Sequence, residues 1–138
     1  MEDETKSPKR YKPVPLEVEA IGKKVLDAAY TVHSALGPGL LESVYEACLA
    51  YEIDKLGLKV ETQMIVPVKY KDVFVETGLR LDIWVERQVI LELKAVEQMN
   101  LLYQAQLITY LRITGCRLGY LMNFNVLHFK DGFKRMVH

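Results

Sequence analysis

The chain has 138 residues, half of them apolar and 26% charged, with a formal net charge of zero. That is enough for one domain with its own core, and it excludes a protein that coats nucleic acid by bulk charge. No apolar run approaches the length of a membrane span and no signal-peptide core opens the sequence, while Cys48 and Cys116 lie far apart without metal-ligand spacing, so a reduced, cytoplasmic protein is expected.

Residues 1–15 are polar, mixed in charge and rich in proline, and are expected to form a flexible arm. From Leu16 the apolar residues Ile21, Val25, Ala28, Val32 and Leu36 keep helical spacing and predict a first helix. It breaks at "LGPGL", where Gly37 and Gly39 flank Pro38. A second helix runs from about Leu40 to Leu56, with Gly57 in the position that commonly follows a helix end. "KVETQMIVPVKY" and "VFVETGLRLDIWV" are rich in β-branched and aromatic residues and read as strands, with turn signals at Lys71-Asp72 and Thr77-Gly78. "VILELKA" is a further strand. A helix from Asn100 to Ile113 follows, closed by Gly115. "RLGYLMNF" reads as a late strand, and "VLHFKDGFKRMV" as a final strand or a hairpin around Asp131-Gly132. The order α-α-β-β-β-α-β with a tail predicts one α/β domain over residues 16–138.

Charge is unevenly placed. Leu16 to Thr62 holds eight acidic residues and four basic, whereas from Gln106 onward Arg112, Arg117, Lys130, Lys134 and Arg135 face the single Asp131. A locally basic end on a neutral chain suits one segment of a polyanion, or simply a solvated mixed surface.

The hairpin "LDIWVERQVILELK" carries the chemistry. If Glu86, Arg87 and Gln88 form its loop, Val85 pairs with Val89 and Asp82 stands opposite Glu92. The odd positions Leu79 to Val85 and Val89 to Ala95 then form one unbroken apolar face, and Arg80, Asp82, Trp84, Glu92 and Lys94 share the other. Opposed carboxylates repel, so something must offset them. Lys94 or Arg80 can do so as a plain ion cluster. A divalent cation is the other solution, because hard carboxylate oxygens suit Mg²⁺ or Mn²⁺.

Asp82, followed after nine residues by Glu92-Leu-Lys94, resembles the core motif of the PD-(D/E)XK nuclease superfamily, with Leu81 in place of the proline. "GLLESVY", with Gly39, Glu42 and Tyr45, is similar to the GxxExxY signature, and Gln106 with Tyr110 resembles the QxxxY motif of RecB-type members. From Leu16 onward the chain resembles the GxxExxY protein family. The resemblance implies a restriction-endonuclease-like core, a mixed β-sheet flanked by helices. It implies Glu42, Asp82 and Glu92 around Mg²⁺ or Mn²⁺, Lys94 positioning the attacking water, and Gln106 and Tyr110 lining the site or touching the nucleic-acid backbone. The implied activity is metal-dependent hydrolysis of DNA phosphodiesters, alone, as a homo-oligomer or with a partner subunit. The alternative is a non-catalytic module on the same scaffold that binds nucleic acid or protein.

Read alone, the same residues have plainer roles. Glu42 favours a helix N-terminus, Tyr45 fits a core, and Gln106 and Tyr110 fit an amphipathic helix. His33 near a helix end suits a dipole contact or a half-buried ring, and Trp84 suits packing under a helix ahead of stacking on a base.

Overall fold

Two helices precede the sheet, α1 (Leu16–Leu36) and α2 (Glu42–Lys55); the computed structural model describes residues 12–138. The reversal between them needs a backbone that L side chains rarely adopt. Gly37 and Gly39 supply it, with φ of 67° and 100°. The strands β1 (Val60–Tyr70), β2 (Val73–Val85) and β3 (Val89–Lys94) follow, then α3 (Leu101–Thr114), β4 (Leu118–Asn123) and β5 (Phe133–Val137). They form one mixed sheet in the order β1-β2-β3-β4-β5. Only β3 and β4 pair in parallel, and α3 makes the crossover that such a pair requires.

Both faces of the sheet's central strands are covered, while the outer half of the β1–β2 hairpin stays exposed. Val25, Val32, Tyr45 and Leu49 of α1 and α2 pack with Ile83, Leu91 and Leu93 on one side. Leu107 and Leu111 of α3 pack with Leu81, Ile90 and Leu121 on the other. This is why "VILEL" and "LGYLM" read as continuous apolar runs: β4 is buried throughout and β3 as far as Leu93. The fold is the mixed α/β architecture expected from the element order.

Two local expectations are corrected. Thr77-Gly78 is not a turn, because β2 runs through it from Val73 to Val85. Gly78 serves a different need. A Cβ there would stand 2.7 Å from the Val68 backbone nitrogen, beside the register shift between Val66 and Val68. Nor is the apolar face of the hairpin unbroken. Leu79 and Leu81 join the core under α3, whereas Ile83 and Val85 join the core under α1 and α2, so β2 changes its packing partner at Asp82. The switch coincides with an irregularity in the neighbouring strand, where Gln63, the residue across from Asp82, takes a left-handed φ of 53° and the regular pairing skips that position. The tail takes the first of its two expected forms, a final strand: a 3₁₀ turn, Phe129–Asp131, leads into β5, which pairs antiparallel with β4 from Leu118↔Val137 to Met122↔Phe133.

Most of the expected N-terminal arm lies outside the described residues. Of its last part, Val14 packs against the larger core and the Lys12 carbonyl accepts from Arg117 Nη2.

Candidate active site

The β2–β3 hairpin has the expected register: Val85↔Val89, Trp84↔Ile90 and Ile83↔Leu91. The next position would pair Asp82 with Glu92, and there the ladder stops. The two side chains replace it. Glu92 Oε2 accepts from the Asp82 amide and Asp82 Oδ2 accepts from the Leu93 amide, each at 2.9 Å. Backbone donors thus fix both carboxylates at the point where the strands separate.

Glu92 is only 6% exposed. Burial first, and the Asp82 charge second, push its carboxyl up to about 8, with Lys94 opposing. Glu42 starts α2 and stays open to solvent on one side; desolvation of its inner side and then Asp82 raise its carboxyl, and Lys94 again opposes. Glu42, Asp82, Glu92 and Lys94 therefore sense one another, although they come from α2, β2 and β3. Tyr110 of α3 belongs to the same field: burial, then Glu92 and Asp82, raise its hydroxyl. Gln106, one turn earlier, stands exposed, and no hydrogen bond or ion pair joins it to the others among the described residues.

Three further residues complete the cluster. Glu46, one turn after Glu42, is raised by burial and by Asp82. The side-chain amide of Gln63 lies between the two acids, donating to Glu46 Oε1 at 2.5 Å and reaching Asp82 Oδ1 at 3.5 Å. The Lys94 ammonium sits 4.3 Å from the centre of the Tyr103 ring, a cation–π contact that holds it on the α3 side. Only Glu46 had a signal in the sequence, its i+4 spacing from Glu42 on one helix face. Gln63 and Tyr103 are placed by tertiary packing.

Around this cluster the framework is tied down. Tyr45, fully buried and stacked on Phe124 at 4.8 Å, donates its hydroxyl to the Gly37 carbonyl and accepts from the Leu40 amide, fixing the loop that delivers Glu42. Asn123 sits beside Lys94 in the β3–β4 register; its side chain accepts from the Val96 and Asn125 amides and donates to the Val96 carbonyl. Trp84 is a packing residue, with Nε1 near Cys116 Sγ and the Arg87 guanidinium 4.7 Å from its ring centre. His33 lies away from the acids; its Nε2 meets the Val126 carbonyl at 2.7 Å, and the ring packs near Phe124 and Phe129.

Among the described residues, no three His, Cys, Asp or Glu side chains already converge as metal ligands. The donor chemistry nevertheless fits a hard divalent cation: every donor is a carboxylate oxygen, and burial, with the Asp82 charge second, makes the charged forms of Glu42 and Glu92 costly without an added cation. Both cysteines are free, and no helix among the described residues is long and apolar enough to cross a membrane.

A sequence model of the PD-(D/E)XK nuclease superfamily matches residues 19–136. No curated protein and no solved structure matches the chain.

Proposed function

The chain belongs to the PD-(D/E)XK nuclease superfamily, and from that premise we propose that it is a metal-dependent nuclease cutting DNA phosphodiester bonds, of the GxxExxY type. The type rests on Gly39, Glu42 and Tyr45, which respectively turn the loop, begin α2 within reach of Asp82, and lock that loop to the core. The observation that carries the activity is the reciprocal clamp of Asp82 and Glu92 beside Lys94.

Glu42, Asp82 and Glu92 are the residues that would hold Mg²⁺ or Mn²⁺, which supplies neutralising charge and an acidified water. The clamp keeps the two hairpin carboxylates oriented before any ligand arrives. Lys94 offers a cation to the negative charge that develops on the phosphate oxygens and a donor to orient the attacking water. Tyr103 restrains the lysine, and Tyr110 presents a hydroxyl to the same space. Gln106, exposed on α3, is free to meet the nucleic-acid backbone. The free cysteines support a cytoplasmic setting, and a homo-oligomer or partner subunit would widen the grip of so small and neutral a chain.

A non-catalytic module that binds nucleic acid or protein is the second reading. It draws on the same clamp, since the hairpin carboxylates already serve backbone amides as structural caps. Cleavage assays on single- and double-stranded DNA with Mg²⁺ or Mn²⁺ separate the two. Asp82→Asn and Lys94→Ala are expected to abolish cutting while circular dichroism stays native. A wild-type chain that binds but never cuts moves the assignment to the second reading.

A further inference from the structure

On the α1 side of the molecule, lined by none of the clustered acids, lies a cavity of about 610 Å³ between the end of α1 and the 3₁₀ turn. Its lining includes Tyr30, His33, Ser34, His128, Phe129 and Lys130, and no carboxylate is among its described lining residues. Asp131, the acid next in sequence to Lys130, lines a separate small cavity with Leu121 and Lys134. The wall is built in advance. The Tyr30 and Phe129 rings meet edge to face at 5.1 Å, and Phe129 stacks on Phe133 at 5.5 Å. His33 ties the segment before the turn to α1 through the Val126 carbonyl. Hydrogen bonds from the Asp131 and Gly132 amides to the His128 and Phe129 carbonyls hold the turn that carries His128 and Lys130.

An aromatic wall, a hydroxyl, and nitrogen groups without an opposing acid make a site for a ligand that is flat at one end and anionic at the other. We propose that this cavity takes one nucleotide unit, its base against the Tyr30 ring and its phosphate at His128, Lys130 and Ser34. The identification of that unit as part of a nucleic-acid strand rests on the nuclease reading. The segment 37–41 links the two places: Gly37 borders the cavity, and Glu42 follows into the acidic cluster. Base stacking on an exposed aromatic residue is tolerant of sequence, so the cavity would grip a strand without selecting its bases.

The test uses the full chain in EDTA, so that cleavage plays no part. Thymidine 5′-monophosphate and a short oligothymidylate are titrated separately and followed by amide NMR. Saturable shifts are expected at Ser34 and Leu127 to Lys130. Whichever probe binds more tightly tells whether the source is a free nucleotide or a strand. The double variant His128→Ala/Lys130→Ala, and separately Ser34→Trp, which fills the mouth from an exposed helix position, should each weaken binding by about tenfold or more. Lys55→Ala on α2 should leave it unchanged. Shifts elsewhere, no saturation, or equal losses in the Lys55 variant would overturn the proposal. A chain that shows the cavity shifts but never cuts DNA refutes the nuclease reading alone. One that cuts, yet whose cavity variants bind like wild type, refutes this inference alone.

Discussion

Glu92 and Asp82 exchange backbone amides across the open end of the β2–β3 hairpin, the Glu92 carboxylate taking the Asp82 N–H and the Asp82 carboxylate taking the Leu93 N–H, both at 2.9 Å. Two acidic side chains are thus held together by main-chain donors where a strand pair would otherwise continue. The arrangement orients both acids, and burial, with the Asp82 charge second, raises the Glu92 carboxyl.

Burial of Glu92, with the Asp82 charge second, has a pH signature. Glu92 moves from 4.5 to about 8 on folding, so the folded chain binds this proton more tightly than the unfolded chain. The stability linked to it is fully present below the lower value and is lost as pH rises through the upper one, by about 1.4 kcal/mol per pH unit crossed. In EDTA, the melting temperature of the wild type should therefore fall across this window relative to Glu92→Gln, whose amide does not titrate. Parallel melting curves for the two proteins would mean that the carboxyl is not desolvated as described.

A second consequence concerns cation binding. Near neutral pH the folded Glu92 keeps its proton, and a cation held by its oxygens must displace it. Calorimetric titration of Mn²⁺ in two buffers of different ionisation enthalpy should show close to one proton released, and Glu92→Gln should lose both the release and most of the affinity. Saturable binding with equal heats in both buffers would place the ion elsewhere.

Lys94 supplies a third test through Tyr103. With the ammonium 4.3 Å from the ring centre, the contact is worth about 0.5–2 kcal/mol. Tyr103→Phe keeps the ring and should preserve cleavage, whereas Tyr103→Leu should lower kcat by about 2–30-fold with little change in KM. The ring current on the Lys94 side-chain protons gives a readout independent of activity. It should persist in the Phe variant and vanish in the Leu variant.

The sequence showed the hairpin register because the apolar residues on either side of Glu86-Arg87-Gln88 alternate, and register decides that Asp82 stands across from Glu92. Helix ends were legible where Gly37, Gly57 and Gly115 take positive φ. The remainder depends on contacts between distant segments. Gln63 carries no local sign of a left-handed conformation, and Tyr103 reaches Lys94 only once α3 has docked on the sheet. Gly78 has the same letter whether it turns a chain or admits a close neighbour, and the neighbour, Val68, lies ten residues back on another strand.

Gly78 therefore makes a stability test. In the strand, the Cβ of Gly78→Ala would press on the Val68 backbone nitrogen at 2.7 Å. The variant should lose about 1–3 kcal/mol in urea unfolding, as overpacked sites do. A neutral result would show that the bulge at Val66/Val68 yields freely.

Tyr45 joins stability to the site. Its hydroxyl donates to the Gly37 carbonyl at 2.6 Å and accepts from the Leu40 amide at 3.1 Å, while its ring is held by Phe124. Tyr45→Phe keeps the stack and removes both hydrogen bonds, leaving two backbone groups of the loop without that partner. The expected loss is about 1–3 kcal/mol by chemical denaturation. Because that loop sets where α2 begins, Glu42 should also lose its fixed approach to Asp82, and Mn²⁺ affinity should fall in the folded variant. Comparing Tyr45→Phe with Glu42→Gln separates the two effects: both should weaken the ion, but only the tyrosine variant should lower the unfolding free energy by that amount. If Tyr45→Phe binds Mn²⁺ like wild type, the hydroxyl braces the fold without positioning Glu42.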